Sequence, residues 1–91
     1  MKIILKYQAK PQHGEKVEKF LRGMIETTRA SRGCVQCDLH PSLDHRLVFF
    51  FDQLWDSREH WEKFMESENV REFDNVTEGM IDIFNLCIAE H

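Results

Sequence analysis

The chain has 91 residues, of which 42% are hydrophobic and 31% are charged, with four glycines and two prolines. This composition is typical of one small globular domain over residues 1–91 and excludes the collagen-like, low-complexity and disordered classes. The net charge of −4 argues against a nucleic-acid partner, because binding to phosphates requires clustered Lys and Arg side chains.

Nothing in the sequence predicts a membrane span or a secretion signal. The longest apolar run covers residues 47–51, whereas a helix needs about 20 apolar residues to cross a bilayer. Lys2 and Lys6 interrupt the only apolar stretch near the first residue, so it does not resemble the core of a signal peptide. We therefore expect a cytoplasmic protein with no membrane partner.

The first part of the chain predicts a strand and then a helix. Apolar and polar side chains alternate over residues 2–9, which is typical of a strand with one buried face. From residue 15 to residue 31, apolar residues recur every three or four positions, which predicts an amphipathic helix. Gly33 follows this segment and suits the left-handed conformation in which many helices end.

The rest of the chain predicts two strands, a helix and a last strand. Residues 34–40 and 46–55 have strand-like sequences, and a turn beginning at Pro41 separates them. Asp56 is predicted to be the N-cap of the helix, because Glu59 follows three positions later. The apolar stripe of this helix changes phase near residues 67–69, which indicates a break, and residues 82–89 form the final strand.

The predicted order β-α-β-β-α-β is typical of a ferredoxin-like α+β fold, in which helices cover one face of an antiparallel sheet. The third and fourth predicted strands are apolar on both faces, and two helices can cover only one face. The other face would expose a large apolar surface to water. We therefore expect an obligate homodimer that packs sheet against sheet.

The three cysteines are predicted to be reduced thiols, since their number is odd and no secretion signal is expected. Cys34 and Cys37 form a CxxC pair, and with His40 and His45 they place four possible zinc ligands within twelve residues. In a regular strand, however, positions i and i+3 face opposite sides of the sheet. We expect no metal site here, and metal or redox chemistry of the pair is the alternative.

Two segments resemble the antibiotic-biosynthesis-type monooxygenases, a family that includes quinol monooxygenases. They are Ser-Arg-Gly-Cys-Val-Gln-Cys at residues 31–37 and Gln-Leu-Trp-Asp-Ser at residues 53–57, and the resemblance extends over nearly the whole chain. It implies a dimeric α+β barrel and an apolar pocket for a small aromatic ligand. Members that oxidise quinols use neither metal nor flavin, so no cofactor is expected.

The sequence departs from the family pattern at the positions that the resemblance associates with catalysis. Members typically have a tyrosine where Cys37 stands and a glutamate where Gln53 stands, and many have histidines at the positions of Phe64 and Asn69. The resemblance therefore implies the fold more strongly than it implies the reaction.

A haem-degrading branch of the same family uses an asparagine, a tryptophan and a histidine. These fall on Tyr7, Phe64 and Asp74, and none of the three residues matches. Haem degradation is therefore not expected.

The resemblance implies candidate site residues of two kinds. Catalytic candidates are Tyr7, Gln53 and His60; the side chains expected to line the pocket are Tyr7, Gln53, Trp55, Phe64, Asn69 and Asn85. The amide of Gln53 cannot act as a base, so that role would pass to a histidine or to Asp52, which is predicted on the opposite face of its strand.

Purely structural roles are an alternative for the same residues. Tyr7 and Trp55 are both suited to packing in a half-buried strand. The amide of Gln53 shares its strand face with Phe49, Phe51 and Trp55, so it needs a hydrogen-bond partner. That partner is a ligand, Asn69 or a backbone group.

Two functions follow as hypotheses. The first is a cofactor-independent monooxygenase that acts on a small aromatic or quinol-like substrate. The alternative is a non-catalytic dimeric module that binds a small apolar ligand or a partner protein, favoured by the replaced glutamate and histidines. Isomerase or decarboxylase chemistry on the same fold is a third interpretation.

Overall fold

The structure is a computed structural model that describes residues 1–89. Its elements in chain order are β1 (Lys2–Ala9), α1 (Gly14–Arg29), β2 (Cys34–Pro41), β3 (Val48–Trp55), α2 (Arg58–Met65), α3 (Glu68–Val76) and β4 (Ile81–Ala89), with a short 3-10 turn before α1. The strands form one antiparallel sheet in the order β2-β3-β1-β4. The ferredoxin-like α+β fold expected from the sequence is confirmed.

The core lies between the helices and one face of the sheet. Alternate residues of β1 and β3 point into it, because successive side chains of a strand face opposite sides. Val17 and Leu21 of α1 and Phe64 and Phe73 of the later helices close over these strands. The helices and the sheet are therefore joined by a single cluster of buried apolar side chains.

The second helical segment differs in two details from its prediction. The phase change near residues 67–69 is a complete break, so two helices, α2 and α3, replace one. The N-cap of α2 is Ser57 rather than Asp56, because the Ser57 hydroxyl accepts a hydrogen bond from the backbone N–H of His60 at 3.2 Å. Ser67 caps α3 in the same way through the N–H of Val70.

Strand β2 contains an irregularity that regular alternation does not predict. Cys34 pairs with Trp55 of β3, but the next paired residue is Gln36, so Val35 is left over as a β-bulge. Because one residue is skipped, Cys37 pairs with Gln53 and lies on the same face as Cys34. The expectation that these two cysteines face opposite sides of the sheet was therefore wrong.

The face of the sheet that the helices leave uncovered is mixed rather than uniformly apolar. It carries partly buried Ile4, Phe50 and Leu54, but also an ion pair in which Lys2 Nζ lies 2.7 Å from a carboxylate oxygen of Asp52. The large apolar surface expected there is therefore only partly present.

Exposed apolar side chains are concentrated instead on β4, the edge strand. Phe84, Leu86 and Ile88 point toward the helical side and are 36–49% exposed, and Ile83 on the opposite side is 44% exposed. Both faces of this strand therefore carry apolar side chains in contact with water.

Candidate active site

A cavity of about 410 Å³ lies between the helices and the sheet. We call it the central cavity. Leu5 and Tyr7 of β1 and Phe51 and Gln53 of β3 contribute from the sheet. The remaining lining residues come from the three helices and the chain around the start of β4: Leu21, Met24, Thr28, Phe64, Met65, Val70, Phe73, Asp74, Thr77, Glu78, Gly79, Ile81 and Phe84.

The walls of the central cavity are mainly aromatic and aliphatic, whereas its acidic side chains are exposed. Four phenylalanine rings and two methionine side chains line it. The two carboxylates, Asp74 and Glu78, belong to residues that are exposed to solvent. Such a cavity fits an apolar ring system with a few polar substituents, because few buried polar groups would be left unpaired by it.

Tyr7 brings a phenol to the centre of this cavity. Its ring is 9% exposed and packs against Phe73 at 5.8 Å and Phe84 at 5.1 Å between ring centroids. Burial, and to a lesser extent the charge of Asp74, raise the pKa of Tyr7 well above its usual value. The phenol therefore stays protonated near neutral pH and can donate a hydrogen bond to an occupant.

Gln53 is held by its neighbour two residues along β3. The indole N–H of Trp55 donates to the side-chain oxygen of Gln53 at 2.9 Å, and both residues are buried. Because an indole can only donate, this bond fixes which end of the amide is the oxygen. The amide nitrogen of Gln53 is left as a hydrogen-bond donor for the cavity that the residue lines.

Two threonines complete the polar lining. The hydroxyl of Thr28 donates to the backbone oxygen of Met24 at 2.6 Å, and that of Thr77 donates to the backbone oxygen of Phe73 at 2.7 Å. Each hydroxyl proton is used within its own helical segment, and the Thr28 hydroxyl also interacts with the thiol of Cys37, so the oxygen of Thr77 is left as an acceptor. The central cavity thus offers donors on the sheet side and an acceptor, Thr77, on the helix side.

The structure brings together three of the residues that the sequence singled out. Tyr7, Gln53 and Phe64 all line the central cavity. Trp55 lies behind them as the partner of Gln53, and its ring packs on Phe64 with 5.2 Å between centroids. Asp74, at the third position of the haem-degrading pattern, lines the cavity as well.

The other sequence candidates lie elsewhere. Asn69 lines two smaller clefts of about 200 and 230 Å³ beside the central cavity, and Asn85 is exposed on β4 opposite Lys6, on the other face of the sheet. Asp52 is on that uncovered face in its ion pair with Lys2. None of the three is among the side chains that line the central cavity.

His60 forms a separate polar pair on α2. Its Nδ1 lies 2.7 Å from a carboxylate oxygen of Asp56, and this hydrogen bond is the main reason that the pKa of Asp56 is lowered. His60 lines a cleft of about 230 Å³ with Arg32, Lys63 and Asn69. Phe64 borders both this cleft and the central cavity, so its ring stands between them.

Sequence reasoning missed Thr28, Asp74 and Thr77 as polar lining residues. Both threonines lie on the predicted apolar stripes of their helices, and this position could have been used to predict that they are buried. The haem-degrading pattern does place Asp74 in one site with Tyr7, but neither residue matches that pattern, so it gave no reason to expect Asp74 as a polar lining residue.

The part of the chain that the structure describes contains no group of three or more His, Cys, Asp or Glu residues placed to hold a metal ion.

The pKa of the Cys37 thiol is raised to about 12. Burial is the larger cause, and the neighbouring thiol of Cys34 is the second. No helix within residues 1–89 is long and apolar enough to span a bilayer.

Comparison with known sequences identifies the family. A sequence model of the antibiotic biosynthesis monooxygenases matches residues 1–75. The chain belongs to the antibiotic biosynthesis monooxygenase family. The matched range extends from β1 into the last turn of α3 and therefore holds most of the residues that line the central cavity, whereas β4 follows it. No curated protein sequence matches the chain significantly.

Solved structures of several bacterial proteins show the same fold. PA3566 of Pseudomonas aeruginosa has a TM-score of 0.90 and 26% sequence identity, over 94% of this chain and 87% of that one. A candidate antibiotic biosynthesis monooxygenase of Deinococcus radiodurans has a TM-score of 0.91 and 16% identity, over 100% and 92%. Another candidate of this kind, from Nitrosomonas europaea, has a TM-score of 0.90 and 15% identity, over 100% and 98%.

Proposed function

We propose that this protein is a cofactor-independent monooxygenase that oxidises a small aromatic or quinol-like substrate in the central cavity. The observation that carries the proposal is the cavity itself, about 410 Å³ with four phenylalanine rings and few polar groups, in a member of a monooxygenase family. A flat, electron-rich ring matches its size and its apolar lining.

The reaction needs no external reductant if the substrate supplies the electrons. A hydroquinone and O₂ give a hydroxyquinone and water: one oxygen atom enters the ring, and the other leaves as water with two hydrogens from the substrate. The substrate reacts with O₂ more readily once its hydroxyl is deprotonated, so the site has to bind a phenol and accept its proton. Burial among apolar side chains keeps water away from the reacting ring.

Three side chains suit these tasks. Asp74 is the base, because it is a carboxylate of the lining and lies near the buried phenol of Tyr7. The hydroxyl of Tyr7 and the amide nitrogen of Gln53 donate hydrogen bonds to the oxygen atoms of the substrate anion. The aromatic rings orient the substrate by stacking against it.

One observation favours the alternative, a non-catalytic ligand-binding module. The lining within residues 1–89 contains no histidine, and the family glutamate is replaced by Gln53, whose oxygen is already bonded to Trp55. Such a site would bind an aromatic ligand without turning it over.

Oxygen consumption with a panel of hydroquinones tests the monooxygenase. We expect uptake by the wild-type protein, a loss of roughly 100-fold or more for Asp74→Asn, and unchanged uptake for Asp44→Asn, a matched change in an exposed loop. Tyr7→Phe should lower uptake by about 10-fold or more, because a donor to the developing anion is removed.

Calorimetric titration with the same compounds under anaerobic conditions separates the two functions. Binding together with oxygen uptake supports the enzyme, whereas binding without uptake supports the ligand-binding module. Uptake that Asp74→Asn and Tyr7→Phe leave undiminished would refute the proposed site.

We also propose that two copies of the chain associate as a homodimer. The support is β4, an edge strand with apolar side chains exposed on both faces. A second copy with the same apolar strand would cover these side chains symmetrically. Light scattering at micromolar concentration should therefore report about twice the chain mass of 10.9 kDa.

A further inference from the structure

The bulge at Val35 gives the CxxC pair a geometry that a regular strand would not. Cys34 lies opposite Trp55, and Cys37 lies opposite Gln53. Trp55 and Gln53 are two residues apart on β3, so the two cysteines are neighbours along one face of β2. Both thiols are free.

The side chain of Cys34 contacts the backbone of its own strand. Its Sγ lies 3.6 Å from the backbone oxygen of Gln36, the residue that immediately precedes Cys37. The two thiols are close enough to interact electrostatically. Cys37 is 1% exposed and Cys34 is partly buried, and both line a surface cleft of about 310 Å³ with Arg29 and Asp38. We call it the thiol cleft.

We propose that Cys34 and Cys37 form a two-coordinate binding site for a soft monovalent cation of the Cu(I) type. Thiolates are the ligands that such cations prefer. A structural zinc site would need four ligands, and residues 1–89 contain no group of three suitable side chains. A bridging cation also lets the two sulfur atoms stay two metal–sulfur bonds apart, whereas a disulfide requires an S–S distance of about 2.05 Å.

Binding requires the cation to displace both thiol protons, and burial, which raises the pKa of Cys37 to about 12, opposes the loss of its proton. Two thiols and one monovalent cation give a bis-thiolate complex of charge −1 and two released protons. Arg29 lies beside it: its Nε donates to the backbone oxygen of Cys37 at 3.0 Å, and its Nη2 lies 3.1 Å from Asp38. The guanidinium is shared with Asp38 and Glu26, so it offsets only part of the negative charge of the complex.

The thiol cleft is coupled to the central cavity through the strand pairing. The cation would lie over the residues that pair with Gln53 and Trp55, whose mutual hydrogen bond fixes the amide in the cavity. The cleft itself shares none of its lining residues with the central cavity. Thr28 of the central cavity does interact with the Cys37 thiol, so binding of the cation has to be measured by metal uptake and by unfolding, neither of which requires a reaction in the cavity.

Competition with a coloured Cu(I) chelate tests the site on the full, reduced chain under anaerobic conditions. We expect the wild-type protein to take one Cu(I) from the bicinchoninate complex. Cys34→Ser and Cys37→Ser should each bind at least about 100-fold more weakly, because one thiolate ligand is lost. Cys87→Ser should bind like the wild type, since this exposed cysteine on β4 is a matched control.

Thermal unfolding gives a second measurement that does not depend on the chelate. Cu(I) should raise the unfolding temperature of the wild type and of Cys87→Ser but not of Cys34→Ser, because a ligand stabilises only the state that binds it. Cys34 is partly buried, so this variant should fold even if the change at fully buried Cys37 does not permit folding.

Three results would overturn the proposal. They are the absence of Cu(I) uptake by the wild type, uptake that Cys34→Ser leaves unchanged, and uptake that is lost in Cys87→Ser. If, in addition, exposure of the copper-free protein to air gave a Cys34–Cys37 disulfide, with O₂ accepting the two electrons and two protons and mass spectrometry showing the loss of two hydrogens, a protein that takes up no Cu(I) would have a redox couple there instead.

Discussion

Both the backbone conformation and the packing require glycine at position 33. Its φ of +89° lies in the left-handed region, and a Cβ added there would lie 2.4 Å from the Cβ of His60. Gly33→Ala should therefore lower the free energy of unfolding by about 2 kcal/mol or more, since the left-handed conformation alone costs roughly 1–2 kcal/mol.

Gly23 provides the matched control for this substitution. It lies within α1, and an added Cβ would meet no atom within 4 Å. Gly23→Ala should raise the free energy of unfolding by about 0.5–1 kcal/mol, because alanine favours the helix. Urea unfolding measures both variants, and equal effects at the two positions would contradict the role assigned to Gly33.

Tyr7 makes stability depend on pH in the alkaline range. Its folded-state pKa is raised above the unfolded value of 10.0, mainly by burial. Its contribution is therefore fully present below about pH 10 and is lost as the pH rises through the folded-state pKa. Between the unfolded and the folded pKa of Tyr7, ionisation of this phenol should lower the free energy of unfolding by about 1.4 kcal/mol per pH unit.

Urea unfolding of the wild type and of Tyr7→Phe between pH 9 and pH 11, roughly the range around the ordinary tyrosine pKa, measures this contribution. Tyr7 is the only tyrosine in the chain, so its ionisation can be followed directly by ultraviolet absorbance. Tyrosinate that forms near pH 10 while the chain is still folded, or identical pH profiles for both proteins, would contradict the burial argument.

At the scale of elements, the separation of α2 from α3 depends on Ser67. Its hydroxyl accepts the backbone N–H of Val70 at 3.4 Å and caps α3. Ser67→Ala should destabilise the fold by about 0.5–1 kcal/mol, whereas Ser67→Asp should retain the wild-type stability because a carboxylate is also a good N-cap. Thermal unfolding of the pair checks this, and equal losses would show that Ser67 does not act as a cap.

The elements were largely predictable, and the register of β2 was not. Hydrophobic periodicity predicted all four strands, the first helix and the phase change that became the boundary between α2 and α3. The bulge at Val35 depends on how β2 pairs with β3, a contact between distant parts of the chain, so the relation between Cys34 and Cys37 could not be read from local pattern.

For the molecule as a whole, substitutions on β4 test whether two copies of the chain associate through this strand. Leu86→Asp replaces a side chain that is 44% exposed, so it should cost the single chain little stability but should disrupt an apolar interface between two copies. Light scattering should then report a mass close to that of one chain.

Leu43→Asp makes the same chemical change in a fully exposed loop residue between β2 and β3 and should leave the dimer intact. A wild-type protein that scatters as a single chain, or a dimer that both variants leave intact, would refute the interface at β4.

Periodicity and family pattern are local properties of a sequence, and they were sufficient to predict the α+β fold, the four strands and three residues of the cavity lining, Tyr7, Gln53 and Phe64. Three relations became visible only in the folded chain: Trp55 is the partner of Gln53, Asp74 approaches Tyr7, and the two cysteines share a face. Each of these contacts depends on side-chain direction, on the packing of α3 over the sheet or on strand register, which are fixed when the whole chain folds.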